Sequence, residues 1–304
     1  MTSPALELDN IRFAYHRNNP VLRGLTASFQ PGQITALLGN NGSGKTTLLK
    51  LLVGIHQAAS GSLRLGDEIH RGEALEQYKR SMGFMPESLQ LYPEMTAREA
   101  LSFFARLKGV SDAELDSVLK RVGLGAHKHQ RVRTFSKGMK QRLNLAQSIL
   151  GRPRVIVFDE PSNGFDASGV TIFYQTIREL ADEGVIVILT THLLGEIQGQ
   201  VDRIALLSEG VIQQEGTLES ILSKVTSSRK RLWIQFDGAF DAASLNWSPS
   251  DHRHLQQVDE NSLTGFLYAR EVGELIAQAK GSGRQLTNLR IEGSELADLL
   301  AGES

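Results

Sequence analysis

The sequence predicts an α/β protein built around a phosphate-binding loop, with an antiparallel β subdomain, a helical insertion and a small α+β domain at the C-terminal end. Three observations carry this. Gly39-Asn40-Asn41-Gly42-Ser43-Gly44-Lys45-Thr46 fits the pattern G-x-x-x-x-G-K-[ST] and stands between an apolar strand and a helix, as that pattern requires. Two apolar runs of strand length, 155–158 and 185–189, flank a helical stretch and give the strand–helix–strand rhythm of a parallel sheet. A polar, basic stretch at 224–231 (KVTSSRKR) interrupts that rhythm, and short strands interleave with helices beyond it.

Residues 6–14 and 21–29 alternate apolar and polar positions around the turn-rich HRNNP, which predicts two antiparallel strands. Residues 33–38 are nearly continuous in apolar character, the mark of a buried strand, and they run into the glycine-rich 39–44 and a helix over 45–53. A strand is expected at 81–84. Helices are expected at 95–107 and 112–122, with Thr96 and Ser111 as caps, so that 88–134 forms the helical insertion. Met139, Leu143, Ala146 and Leu150 mark one face of a helix beginning near Ser136, and another helix is expected over 170–181. After the polar stretch come strands at 232–236, 254–258, 263–269 and 285–291, a helix over 271–280 and a short helix at 295–300. The ferredoxin-like arrangement is one form such an α+β unit takes. The division expected is 1–225 and 226–304.

Composition narrows the function. The 33 basic and 34 acidic residues leave a net charge of −1, without the basic footprint of a protein that coats nucleic acid. With no cysteine, the chain has no disulfide, thiolate metal site or cysteine nucleophile, and a reduced cytoplasmic location fits. MTSPALELDN lacks the basic-then-apolar order of a secretory signal. The most apolar runs fall far short of the roughly 20 residues that cross a bilayer, so any spanning part must come from another chain. The pairs His127/His129 and His252/His254 are read as solvated loop histidines, since no sulfur ligand accompanies them beyond scattered methionines.

The glycines of the loop let successive backbone N–H groups turn onto phosphate oxygens, and the helix N-terminus adds positive dipole. Lys45 reaches the β- and γ-phosphates, and the Thr46 hydroxyl can ligate Mg²⁺. At the end of a buried strand Asp159 can hold Mg²⁺, while Glu160 next to it can orient or deprotonate an attacking water.

The remaining marks give the chain a resemblance to the nucleotide-binding subunits of ATP-binding cassette (ABC) transporters over about residues 5–220. Tyr15 precedes the loop; Phe135-Ser136-Lys137-Gly138-Met139 stands as the signature; 161–166 follows the acidic pair; His192 ends the next strand. The resemblance implies that ATP binds to Gly39, Asn40, Asn41, Gly42, Ser43, Gly44, Lys45, Thr46 and Thr47 of one subunit. Ser136, Lys137 and Gly138 of the other subunit of a head-to-tail homodimer then close over the nucleotide. Tyr15 would stack on adenine, His192 would contact the γ-phosphate, and Asp166 would couple the two sites. Two departures, Glu87 where a glutamine is commoner and FSKGM where LSGGQ is commoner, are similar to the ABC-2 exporter group. Glu87 joins Thr46 and Asp159 as a candidate Mg²⁺ ligand, and Glu160, His192, Lys45 and Glu87 form the catalytic set.

Residues 91–110 (LYPEMTAREALSFFARLKGV) resemble more closely the ATPases of transporters that mature the copper centres of nitrous oxide reductase, with a membrane and a periplasmic subunit. In this family the helical insertion receives the membrane subunit. Tyr92, Met95, Phe103 and Phe104 are therefore candidate contacts, with burial inside the insertion as the alternative for the two phenylalanines. The implied place is the cytoplasmic face of the inner membrane, peripheral through the membrane subunit and without nucleic acid. Two alternatives stay open: another ABC-2 exporter of a drug, lipid or polysaccharide, and a soluble ABC ATPase outside transport.

Overall fold

The computed structural model describes residues 4–16, 19–69, 73–191, 199–218, 230–239, 255–267 and 284–291, with single positions such as Ile197 and Lys280 besides. Grouped by internal contacts, the chain forms two compact units. One comprises Met1–Leu37, Gly42–Thr191 and Glu209–Val211; the other comprises Leu38–Asn41, His192–Ser208 and Ile212–Ser304. The expected boundary at 225/226 lies outside the described residues.

In the first unit, β1 (Leu6–His16) and β2 (Asn19–Phe29) pair antiparallel, from Leu6 opposite Phe29 to His16 opposite Asn19. After β3 (Ile34–Leu38) and α1 (Lys45–Leu52), β4 (Ser60–Leu65) and β5 (Glu68–Ile69) extend this sheet to the order β2-β1-β4-β5. Leu6, Leu8 and Ile11 are buried while Glu7 faces water, the pattern of a sheet covered on one face. Beyond α2 (Glu73–Arg80) come β6 (Met82–Met85), α3 (Ala97–Lys108), α4 (Leu115–Arg121), α5 (Lys137–Ser148), β7 (Val155–Phe158), α6 (Ala167–Asp182) and β8 (Ile186–Thr190). Within this unit β3, β8, β7 and β6 lie side by side in that order, all parallel. Every residue of β3, β7 and β8 is buried, as a parallel sheet covered on both faces requires.

The helical insertion holds α3, α4 and three 3₁₀ turns. Thr96 and Glu99 close a capping box on α3: the Thr96 hydroxyl accepts from the Glu99 amide at 3.2 Å, and the Thr96 amide donates to Glu99 Oε2 at 2.8 Å. Ser111 caps the 3₁₀ turn that leads into α4. The buried face of α3 is Ala97, Ala100, Leu101 and Ala105. Phe103 lies on the opposite side, 39% exposed, so the alternative of core burial does not hold for it; Phe104 is half-buried and Tyr92 is 61% exposed.

The second unit contains β9 (Arg203–Ser208), β10 (Val211–Gly216) from its second residue on, β11 (Lys230–Phe236), β12 (Leu255–Asp259), β13 (Ser262–Leu267) and β14 (Leu286–Ile291). The last four form an antiparallel sheet in the order β12-β13-β11-β14. The central pair, β11 and β13, is the first and third of the four along the chain, as in the ferredoxin-like arrangement. The expected helix at 271–280 is described only at scattered helical positions, and the one at 295–300 lies outside the described residues.

Candidate functional site

The phosphate loop follows β3 directly and leads into α1. Its last two glycines adopt left-handed backbone conformations, φ 86° at Gly42 and 107° at Gly44, which an L side chain would strain. A Cβ on Gly44 would also stand 3.1 Å from Leu22 Cδ2. Gly44 is the N-cap residue of α1, and no side chain caps this helix. Its first-turn N–H groups therefore face the loop as donors for an anion. Ser43 Oγ, in the same loop, is buried without a hydrogen-bond partner. A polyphosphate fits this donor set. Tyr15, half exposed on β1, places its hydroxyl 3.3 Å from Thr47 Oγ1, and its ring packs edge-on against Phe13 and His56 at 5.0 and 5.4 Å.

The acidic pair sits at the carboxyl end of β7. The Asp159 amide donates to Met85 O at 2.9 Å, continuing the β6–β7 ladder. Thr190, fully buried at the end of β8, ties the pair together: its hydroxyl donates to Asp159 Oδ1 at 2.9 Å and accepts from the Glu160 amide at 3.0 Å. Glu160 has φ 46°, a left-handed conformation uncommon outside glycine, so the chain turns sharply at the residue after the strand. Burial raises the Asp159 carboxyl above the usual range. The Thr190 bond opposes that shift, the Glu87 carboxylate adds to it, and Lys45 and Lys50 reduce it. Two carboxylates and a lysine thus act on one another at the ends of β6, β7 and the loop. The donor set of oxygens suits a hard divalent cation, which would relieve the strain on ionised Asp159.

Glu87 is exposed, and its Oε1 accepts from Asn163 Nδ2 at 3.2 Å. Ser136 is the N-cap residue of α5, its hydroxyl accepting from the Met139 amide at 3.2 Å. Lys137 lies along Gly164, where a Cβ would come within 2.5 Å of its Cε, and Gly138 packs against Asp166. Asp166 caps α6 through the Gly169 amide at 2.7 Å, which with Ser168 holds its carboxyl below the usual range, and Arg142 stands 3.4 Å from it. The fold therefore brings Lys45, Glu87, Asp159 and Glu160 to one place and Ser136, Lys137, Gly138 and Asp166 to another. His192, His252 and His254 lie outside the described residues. Sequence reasoning missed Thr190, Asn163 and Gln141. The signal for Thr190 was available, since it is the first polar residue after four apolar ones in β8.

Residues 22–163 match the ABC transporter family. The chain is 40% identical over 241 residues to an uncharacterized ABC transporter ATP-binding protein, YdbJ, of Bacillus subtilis, covering 79% of this chain and 76% of that protein. It is 32% identical to the lantibiotic transport ATP-binding protein SrtF of Streptococcus pyogenes, covering 68% and 88%. It is also 32% identical to the Nod factor export ATP-binding protein I of Paraburkholderia xenovorans, covering 73% and 74%. Among solved structures, the ATP-binding subunit of an ABC transporter superposes with a TM-score of 0.66 at 28% identity, over 72% of this chain and 92% of that one. Among the described residues no helix is long and apolar enough to cross a membrane. With its phosphate loop, its carboxylate pair and these relatives, the chain belongs to the ATP-binding proteins of ABC transporters, ATPases that work with membrane partners and couple hydrolysis to transport.

Proposed function

We propose that this chain powers an ABC-2 type exporter as a head-to-tail homodimer with Mg²⁺, driving a separate membrane subunit seated on residues 88–110. The observation that carries hydrolysis is the Thr190 node, which holds Asp159 and Glu160 in fixed relation beside Lys45 and Glu87. Lys45 and the α1 N-terminus take the phosphates, and Tyr15 takes the adenine. Thr46, Asp159 and Glu87 hold Mg²⁺, which when bound offsets phosphate charge. Glu160 orients the attacking water and accepts its proton, and His192 lines up with the γ-phosphate. Ser136, Lys137 and Gly138 of one subunit close over the nucleotide on the other, with Asp166 linking the two sites.

Exporter-type relatives support this reading: one is named for lantibiotic transport, another for Nod factor export. For the docking place, support comes from the exposed Tyr92, Phe103 and Leu107 on the helical insertion, with the Tyr92 and Phe103 rings 6.1 Å apart. Residues 1–225 then act as the nucleotide-binding domain and 226–304 as an accessory domain. A second reading names the cargo pathway as copper-centre maturation of nitrous oxide reductase, with a periplasmic subunit reached through the membrane partner. Only the likeness of residues 91–110 favours it, the stretch that carries the exposed aromatics. The experiment for the main reading is Glu160→Gln. It should keep Mg-ATP binding, lower turnover by about a hundredfold or more, and trap a closed dimer seen by light scattering. Turnover equal to the parent overturns the assignment.

A further inference from the structure

The strand β6 ends its sheet, so one side of its backbone has no neighbouring strand. Carbonyls alternate along a strand. That of Met85 points inward to the Asp159 amide of β7, which sends those of Phe84 and Pro86 outward. The helix α5 lies against this outer side so closely that a Cβ on Gly83 would stand 2.2 Å from Ser148 O. Three carboxamides at a spacing of three residues, on one face of α5, take up the outward carbonyls and that of Glu87, which follows where the strand has ended. Gln147 Nε2 donates to Phe84 O at 2.7 Å, Asn144 Nδ2 to Pro86 O at 2.8 Å, and Gln141 Nε2 to Glu87 O at 3.0 Å.

The same amides also bond one another. Gln147 Nε2 donates to Asn144 Oδ1 and Asn144 Nδ2 to Gln141 Oε1, both at 3.2 Å, while Gln141 Nε2 reaches Asn163 O at 2.7 Å. Each amide nitrogen thus makes two bonds, its full donor capacity. The orientation of all three is fixed chemically, because a backbone carbonyl only accepts and the NH₂ group must face it. The side chains are 1–7% exposed, so an unmet amide here would carry the full cost of a buried polar group. At its upper end the ladder meets Glu87 twice: directly at the main chain, and through Asn163, whose backbone accepts from Gln141 and whose side chain donates to the Glu87 carboxylate.

We infer that Gln141, Asn144 and Gln147 are positioning residues that lock the register of the signature helix to Glu87, so that a displacement of Ser136 at the head of α5 and a displacement of the Glu87 carboxylate are one movement. The inference rests on the catalytic place given to Glu87 under the proposed function and extends it to a device that senses closure. Each of the three carboxamides acts through main-chain carbonyls. Each rung is a short bond of 2.7–3.0 Å, and α5 stands close to the strand at Gly83. Losing one rung leaves Glu87 attached only through its neighbours, and misplacement near 1 Å at a reacting centre is enough to cost turnover.

The test uses the full-length chain and Gln141→Met, which keeps length and volume and removes both donors. Turnover should fall about tenfold while nucleotide affinity, read with a fluorescent ATP analogue, stays within about twofold. In a Glu87→Ala background the same change should add almost nothing, since a residue that acts through Glu87 has no effect once Glu87 is gone. Hydrogen exchange of the peptide covering 82–90 should speed up in Gln141→Met while that of α1 is unchanged. Unaltered turnover, losses that multiply fully in the double variant, or unchanged exchange at 82–90 would each overturn the ladder. If Gln141→Met does not fold, Gln147→Met carries the same comparisons with a smaller turnover loss, about threefold, because its rung is farthest from Glu87. A parent chain that neither binds nor hydrolyses ATP would defeat the proposed function instead, and the exchange measurement would still judge the ladder.

Discussion

Two helix N-termini in this chain are the ones proposed above to meet phosphate, and they are finished differently. At α1 the N-cap residue is Gly44, in a left-handed conformation and without a side-chain cap. At α5 the N-cap is Ser136 in an extended conformation, and its own hydroxyl already accepts from the Met139 amide. An uncapped first turn offers an anion all of its end donors, whereas a capped one has a donor already satisfied. On the proposed reading, the first takes the phosphates of its own chain's nucleotide. The second, on the proposed head-to-tail arrangement, is shared between subunits, and its cap already satisfies one first-turn amide.

The largest effect should come from breaking the open end. Lys45→Ala removes the countercharge next to the loop and should weaken ATP binding by roughly a hundredfold or more in titration of the isolated chain. Ser136→Ala should leave that binding within about twofold, because no part of α5 belongs to the open site. A large loss of affinity in Ser136→Ala would erase the distinction between the two ends.

A finer cut uses Ser136→Asp. Aspartate caps a helix as well as serine does, so the thermal midpoint should match the parent, while Ser136→Ala should lose about 1 kcal/mol of stability. The carboxylate would nevertheless face the γ-phosphate on closure, and steady-state turnover should drop about tenfold or more through like-charge repulsion. Wild-type turnover in Ser136→Asp would mean that the α5 terminus does not meet phosphate at all.

What the sequence disclosed follows the same physical line. The loop, β3, β7 and β8 were legible because continuous apolar runs and a glycine pattern are local signals, and the caps Thr96 and Ser111 stand where side-chain chemistry placed them. Missed elements are those whose order comes from partners distant in sequence. The strand β4 begins Ser-Gly-Ser and is ordered by pairing with β1, and α2 is strongly polar, held by Leu75 and by Tyr78, whose hydroxyl donates to Leu52 O at 2.6 Å. The site was legible as residue types and illegible as bonds. Asp159 and Glu160 could be picked out, but Thr190 joins them from 31 and 30 residues away, and Gln141 reaches Glu87 across 54. Gln141, Asn144 and Gln147 read as the polar side of an amphipathic helix, yet they are buried, because the carbonyls of an edge strand supply the acceptors that water otherwise would.

The smallest effect concerns the other end of α5. Lys108, at the end of α3, directs its Nζ to Gln147 O and Leu150 O at 3.4 and 3.3 Å, a cation at the helix C-terminus where the dipole favours it. Burial nevertheless lowers its pKa from 10.5 to about 8. Between about pH 8 and 10.5 the unfolded chain holds a proton at this site that the folded chain has released, so this group's contribution to stability rises with pH across that window. Below it both states are protonated and the cost of the buried cation is constant and complete. Lys108→Met lacks the group, and the raised phenol of Tyr78 acts equally in both proteins and cancels in the comparison. Urea unfolding at pH 7.5, 9 and 10 should therefore show the parent gaining on Lys108→Met as pH rises, by on the order of 1–2 kcal/mol over the window. A stability difference that stays flat with pH would show that Lys108 keeps its charge solvated, and that the C-terminal end of α5 is not held by a buried cation.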